Sequence, residues 1–320
     1  PMAIPAAAEG APFPGGAGVT LDALAWPLYR NSVSNDTYTR YLKQWECFVS
    51  YLGQASLHVS GVTSGLVAGF LGSLFARGLS GGVIAGYGSA LGFFLGTLEG
   101  KEGVMRHPVV QRVIAGAKRL RPVADFRAPL GRDELVLLCH GVRGSDFAFD
   151  KDLFVAMFSL AFFGLLRLSE LTGKHALRLG DVHLREKEIR VQFRSFKHKK
   201  PGLPQAVSVS GHGSVCCPVE ALRQYLVARR DVQQSVLFCF ASGIPVSSKY
   251  FVSLLKRFVR LALPGERGQH ITSHSFRIGG ATDAMLRGAS VLQVKQLGRW
   301  ASFAFMSYIR PYLLAPAGGD

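Results

Sequence analysis

A chain of 320 residues carrying a formal net charge of +16, with a pI near 10.0, is long enough for two domains that each bury a core. So basic a balance argues for a polyanionic partner, because covering phosphates releases condensed counterions; charge alone leaves a ribosomal or heparin-type binder open. Five cysteines, an odd number without paired spacing, and no visible secretory leader argue against a disulfide scaffold and fit a reducing compartment.

Residues 1–19 are rich in Ala, Gly and Pro and are expected to be disordered, with order beginning near Leu21. Ser34-Asn35-Asp36 reads as a helix cap. Tyr38, Tyr41, Leu42, Trp45, Phe48, Val49 and Leu52 follow at helical spacing. The uncharged run from Gly78 to Leu98 is long enough to span a bilayer, but its scattered Gly and Ser favour packed helices. His107-Pro108 opens a further helix, Val109 to Arg119. These elements predict an all-helical domain over 20–120; Arg106, Lys118 and Arg119 in it, and Arg121 just beyond it, are candidate phosphate contacts, the alternative being a solvated basic face. Residues 121–129, with Arg121, Arg127, Pro122 and Pro129, read as a basic linker. It either crosses a DNA backbone or is an ordinary solvated connection.

The second domain, 130–320, is predicted to open with a helix from Gly131 through Cys139. The apolar run Leu153 to Leu166 is too short for a bilayer and reads as a buried helix. Ala176–Asp181, Glu188–Phe193 and Gln205–Val209 alternate as strands of a small sheet. Helices are predicted over Pro218–Arg230, Lys249–Leu263, Phe276–Arg287, Val291–Leu297 and Phe303–Arg310. His212 with Cys216 and Cys217 suggests zinc only weakly, since no second ligand pair follows. No metal or other cofactor is predicted.

Two arginines, a histidine and a phenol stand out. Arg167 lies one turn before Glu170 in Gly-Leu-Leu-Arg-Leu-Ser-Glu-Leu. His274 and Arg277 share one helix face in His-Ser-Phe-Arg, and Tyr308 follows in a later element. Cutting a phosphodiester with a phenol requires in-line attack and arginine forks to absorb charge on the non-bridging oxygens. It also requires a base for the phenol and an acid for the departing 5′ oxygen. Thr272 or Ser273 is expected to cap the Arg277 helix, whose first-turn N–H groups also favour phosphate.

In order and spacing these residues resemble the tyrosine recombinases. His274 to Ala281 nearly reproduces the family's His-Ser-x-Arg-x-Gly-x-Ala, and Met306-Ser307-Tyr308-Ile309-Arg310 matches its Met-x-Tyr-Ile-Arg. The segment is similar to Cre-type enzymes, and Leu297-Gly298-Arg299-Trp300 to the recombinases of DIRS-type retroelements and cryptons. The resemblance implies a mainly α protein: a helical, SAM-like core-binding domain, then a mostly helical catalytic domain with a small antiparallel sheet, closing on DNA as a clamp. It implies Tyr308 as nucleophile, Arg167, His274 and Arg277 as catalytic residues, and Glu170 as a supporting acid. Tyr312 is the less suitable nucleophile, because Pro311 interrupts the helix and the family spacing falls on Tyr308.

Two positions stay open. The family's lysine, on a hairpin turn, falls in Arg194-Ser195-Phe196-Lys197-His198-Lys199-Lys200; Lys197 fits best and Lys199 next, with Arg194 and Lys200 as phosphate contacts. The family's His/Trp position falls on Trp300 counting forward from Arg277 and on Arg299 counting back from Tyr308. Trp300 is preferred, because an indole N–H would donate to a phosphate oxygen while the ring packs, whereas Arg299 would add a cation or touch the DNA. The expected partners are double-stranded DNA and further copies of the chain, a dimer on one site and a tetramer in synapsis, with no membrane. Few residues follow Tyr308, so any tail exchanged between copies is expected to be short or absent. The implied reaction passes strands through a 3′-phosphotyrosine and a Holliday junction, in the nucleus if the source is eukaryotic and otherwise in the cytoplasm or nucleoid. A decayed element that only binds DNA and a type IB topoisomerase are the alternatives.

Overall fold

Two separate hydrophobic cores organise the chain, one in residues 1–125 and one in residues 126–320. The structure, a computed structural model, describes residues 24–122, 127–145, 148–194 and 206–309; the side chains of residues 148, 304, 307 and 308 fall outside that description.

The first unit is helical: α1 (Ala25–Asn31), α2 (Asn35–Gln54), α3 (Ser64–Ala76), α4 (Gly81–Leu95) and α5 (Pro108–Leu120). Hydroxyl caps start three of them. Ser34, Thr63 and Ser80 accept from the N–H groups of Thr37, Leu66 and Val83, satisfying donors that the first turn leaves open. Trp45, Phe48, Phe70 and Phe94 fill the centre at 1% exposure or less. The glycine-rich run settles into α4 because that helix lies against α5. A Cβ on Gly81 would meet the Lys118 backbone at 2.4 Å, and one on Gly88 would meet the Ile114 side chain at 2.8 Å. Among the described residues no helix is long and apolar enough to cross a membrane.

The second unit is built on α7 (Ala148–Phe163), against which α6 (Arg132–Arg143) packs. Every α7 residue from Leu153 to Phe162 is buried, and all but Ser159 are apolar, as a central helix requires. A short α8 (Leu168–Leu171) follows it. A three-stranded antiparallel sheet follows: β1 (Val182–Leu184), β2 (Glu188–Gln192) and β3 (Ala206–Ser210), in order β1-β2-β3. Ile189 and Val191 of β2 pair with Val209 and Val207 of β3, and these four apolar residues form the buried face. Then come α9 (Pro218–Ala228), α10 (Ser248–Ala262), α11 (Glu266–Gln269), α12 (Ser275–Leu286), α13 (Val291–Leu297) and a 3₁₀ segment, Phe303–Tyr308. The fold is therefore mainly α with one small antiparallel sheet.

Three expectations need correction. Ala176–Asp181 is not a strand: it carries a 3₁₀ turn at Leu179–Asp181 and one isolated bridge from Arg178 to Val236. The Asp181 carboxylate accepts from the Arg178 backbone N–H at 2.8 Å, so a local acceptor replaces a ladder bond. The first strand begins one residue later. Arg121 is not linker: it caps α5, its carbonyl accepts from Gly81 N–H, and its guanidinium lies 4.0 Å from the Phe75 ring. Toward the other end of the expected linker, Ala128 N–H donates to the His270 carbonyl, which ties it to the second unit, as Leu130, where that domain was expected to begin, is tied to Ser275. The element bearing Tyr308 is a 3₁₀ segment, and Arg310 lies outside the described residues.

Candidate active site

Arg167 stands at the N-cap of α8 with extended backbone (φ −81, ψ 153), which brings the Glu170 side chain back over it. Glu170 accepts from the Arg167 backbone N–H at 2.8 Å and from its guanidinium at 3.0 Å. Glu170 is 1% exposed and the Arg167 side chain 20%, so the acid is buried while the base reaches the surface.

Arg277 sits in the first turn of α12. Close packing fixes that helix: a Cβ on Gly279 would lie 1.8 Å from the Leu130 carbonyl oxygen, a distance that only a glycine permits. The cap residue is His274 itself, half-buried, with its carbonyl accepting from Arg277 N–H. Thr272, one of the two expected caps, acts one step earlier. Thr272 Oγ1 accepts from His274 N–H at 3.2 Å, and Thr272 N–H donates to Ser275 Oγ at 2.9 Å. The Arg277 guanidinium, 1% exposed, donates to the carbonyls of Leu165 and Gly298 and stacks 4.1 Å from the Trp300 ring.

Leu165 is the less obvious member. It follows α7 in left-handed backbone (φ 47), and its carbonyl accepts from Arg277 and, at 3.4 Å, from Arg299. Its side chain is buried in a small cluster with Ala281, Val294, Phe305 and Ile309. Phe305 and Ile309 bracket residue 308, so the backbone that carries the tyrosine is pinned to the same residue that holds the arginines. The Tyr308 side chain lies outside the description.

Arg299 and Trp300 divide the ambiguous position between them. Trp300 is half-buried, stacked on Phe305 with centroids 4.8 Å apart, and on Arg277. Gly298 makes room: a Cβ there would fall 1.7 Å from the indole. Arg299 was expected to touch the DNA or to add a cation to the site. Instead it is 1% exposed, ion-paired to Glu170 at 2.7 Å, bonded to the Leu297 carbonyl at 2.8 Å and laid over the Phe193 ring at 4.0 Å. Desolvation pushes its guanidinium down to about 10, with Glu170 opposing that shift, so it remains a cation at neutral pH. Nothing in the local sequence foretold the burial, since the carboxylate partner lies 129 residues away. Leu165 gave no signal either, because a main-chain acceptor has no side-chain signature.

The remaining candidates are distributed as follows. Arg106, Lys118, Arg119 and Arg127 are exposed, whereas Arg121 is half-buried against Phe75. Arg194 is exposed and ion-paired to Asp181 at 2.5 Å. Lys197, Lys199 and Lys200 lie outside the described residues. His212 and Cys217 meet through a 3.3 Å backbone hydrogen bond to sulfur, and no group of His, Cys, Asp or Glu suited to a metal occurs among the described residues.

Residues 148–311 match the phage integrase family, and the chain belongs to it. The fold is shared with solved recombinases at low identity. The Tn1549 transposon integrase in complex with transposon right-end DNA aligns at TM-score 0.65 and 15% identity, over 92% of this chain and 94% of that one. The XerH site-specific recombinase bound to a palindromic difH substrate gives 0.63 and 18%, over 85% and 75%. A lambda integrase dimer bound to a COC′ core site gives 0.62 and 14%, over 93% and 78%. No curated protein sequence matches the chain.

Proposed function

We propose that this chain is a DNA strand-cutting and strand-joining enzyme in which Tyr308 is the nucleophile. The observation that carries the reading is the convergence on Leu165. One residue's carbonyl holds Arg277 and Arg299, Arg299 reaches the Glu170 that holds Arg167, and its side chain shares a cluster with the turn bearing Tyr308. The phenol attacks phosphorus and the 5′ oxygen leaves, giving a 3′-phosphotyrosine that conserves the energy of the broken bond for rejoining. Arg167 and Arg277 stabilise the growing charge on the non-bridging oxygens, which is where planar forks act best. His274 exchanges the phenol's proton, and Lys197 or Lys199 protonates the leaving oxygen. This transfer of one phosphoester for another calls for neither nucleotide nor metal. Strand passage through a Holliday junction, by a dimer on each site and a tetramer in synapsis, completes the proposal. The match of residues 148–311 to the phage integrase family and the DNA complexes of structurally similar recombinases support it.

A pool of random-sequence duplexes, each nicked just beyond a candidate scissile phosphate, tests this reading. Wild type should accumulate a denaturant-resistant protein–DNA adduct and Tyr308→Phe should not. DNA retention without any adduct would replace the reading with that of a binder.

A further inference from the structure

Arg299 is a buried cation placed between the two arginines assigned to phosphate. One of its terminal nitrogens, Nη2, lies 2.7 Å from Glu170 Oε2 and 3.4 Å from the Leu165 carbonyl oxygen. Glu170 Oε2 also accepts from the Arg167 backbone, while Oε1 accepts from the Arg167 guanidinium. The Leu165 carbonyl also accepts from Arg277. The same two arginines are clipped to one turn, Arg299 by the carbonyl of Leu297 and Arg277 by that of Gly298. Burying a guanidinium is expensive, and an apolar side chain packed on Phe193 would avoid that cost. Leu165 and Arg299 are also two of the three non-glycine residues with positive φ among the described residues, at 47° and 53°. Such conformations persist where the surroundings over-determine them, and both fall at this junction.

We propose that Arg299 is a positioning residue that sets Arg167 and Arg277 in register through two shared acceptors, the Glu170 carboxylate and the Leu165 carbonyl. The proposal rests on the strand-cutting reading and adds to it a member that touches no phosphate. With Arg299 present, Glu170 is held from both sides, so Arg167 keeps one rotamer. The Leu165 carbonyl stays turned toward α12, so Arg277 does as well. Without it, Glu170 follows Arg167 alone and the carbonyl loses one of its two donors.

The test uses the full-length chain in two arms. The first needs no DNA: crystal structures of Arg299→Met and Arg299→Lys. In Arg299→Met the Arg167 and Arg277 guanidinium groups should leave their positions, and in Arg299→Lys they should stay. Both arginines unmoved in Arg299→Met would overturn the proposal. Should Arg299→Met fail to fold, the neutral double variant Glu170→Gln/Arg299→Gln takes its place, with the same displacement expected and the same unmoved arginines counting against it.

The second arm measures single-turnover adduct formation on a nicked duplex recovered with wild type from the random pool. Arg299→Met should lose about 100-fold in rate, the cost expected of a misplacement near 1 Å, with DNA affinity unchanged and partial recovery in Arg299→Lys. Placing sulfur at the leaving 5′ position should not restore the rate. An undiminished rate, or rescue by the sulfur, would overturn the proposal, rescue marking Arg299 as the proton donor instead. No adduct from wild type on any duplex would sink the strand-cutting reading, and the crystal structures would still decide whether Arg299 positions its neighbours.

Discussion

Gly280 of α12 lies so close to the end of α7 that a Cβ on it would stand 2.1 Å from the carbonyl oxygen of Phe162. That contact, with Gly279 against Leu130, sets how deeply α12 seats and therefore where Arg277 points. Gly280→Ala should destabilise the second unit by about 1–3 kcal/mol, because neither backbone can give way without moving a helix. Urea denaturation measures it; a shift too small to resolve would show that α12 slides freely.

Arg277→Lys keeps the charge and loses the fork. A single ammonium on a shorter reach cannot serve the Leu165 and Gly298 carbonyls together while lying over Trp300. Adduct formation should drop by roughly 10²–10³-fold, the usual cost of losing one charge-stabilising donor. A rate within a few-fold of wild type would mean that charge alone suffices at this position.

Trp300 is the middle layer of a stack, with Phe305 on one face and the Arg277 guanidinium against its ring. Trp300→Ala should cost about 1–3 kcal/mol through lost stacking and cation–π contact, and Trp300→Phe distinctly less. Chemical denaturation of both variants separates the two. Equal losses would show that the indole acts by its N–H rather than by its face.

Much of this was legible in the sequence, and for specific reasons. The cap at Ser34, the alternation of Glu188–Gln192 and the apolar run of α7 are local patterns, and each produced its element. Arg167 with Glu170 and His274 with Arg277 stood out as pairs three residues apart, and the resemblance to the tyrosine recombinases supplied the roles expected of them. Ala176–Asp181 misled because alternation alone does not distinguish a strand from turns held by a side chain, here Asp181 on Arg178. Arg299 misled because composition places arginines outside, and only a contact made 129 residues away reverses that.

Asp150, half-buried in the first turn of α7, provides a pH test away from the site. Desolvation raises its carboxyl above the ordinary value of 3.8, so the folded chain holds this proton more tightly than the unfolded chain does. Stability from this group is therefore greatest below about pH 3.8 and is lost as pH rises through the raised folded value. Asp150→Asn should raise the melting temperature at pH 7 and leave it unchanged near pH 3. A gain at pH 3 as large as that at pH 7 would assign the effect to something other than ionisation.

Leu165 answers to opposing demands. Its mirror-handed main chain would suit glycine, yet glycine would empty the pocket it shares with Phe305 and Ile309. Valine and isoleucine are barred by their branching, and polar residues by the dry surroundings. Saturation mutagenesis should thus find this aliphatic position as intolerant as any reacting group. Evolutionary constraint, here, would settle on a residue with no chemistry of its own.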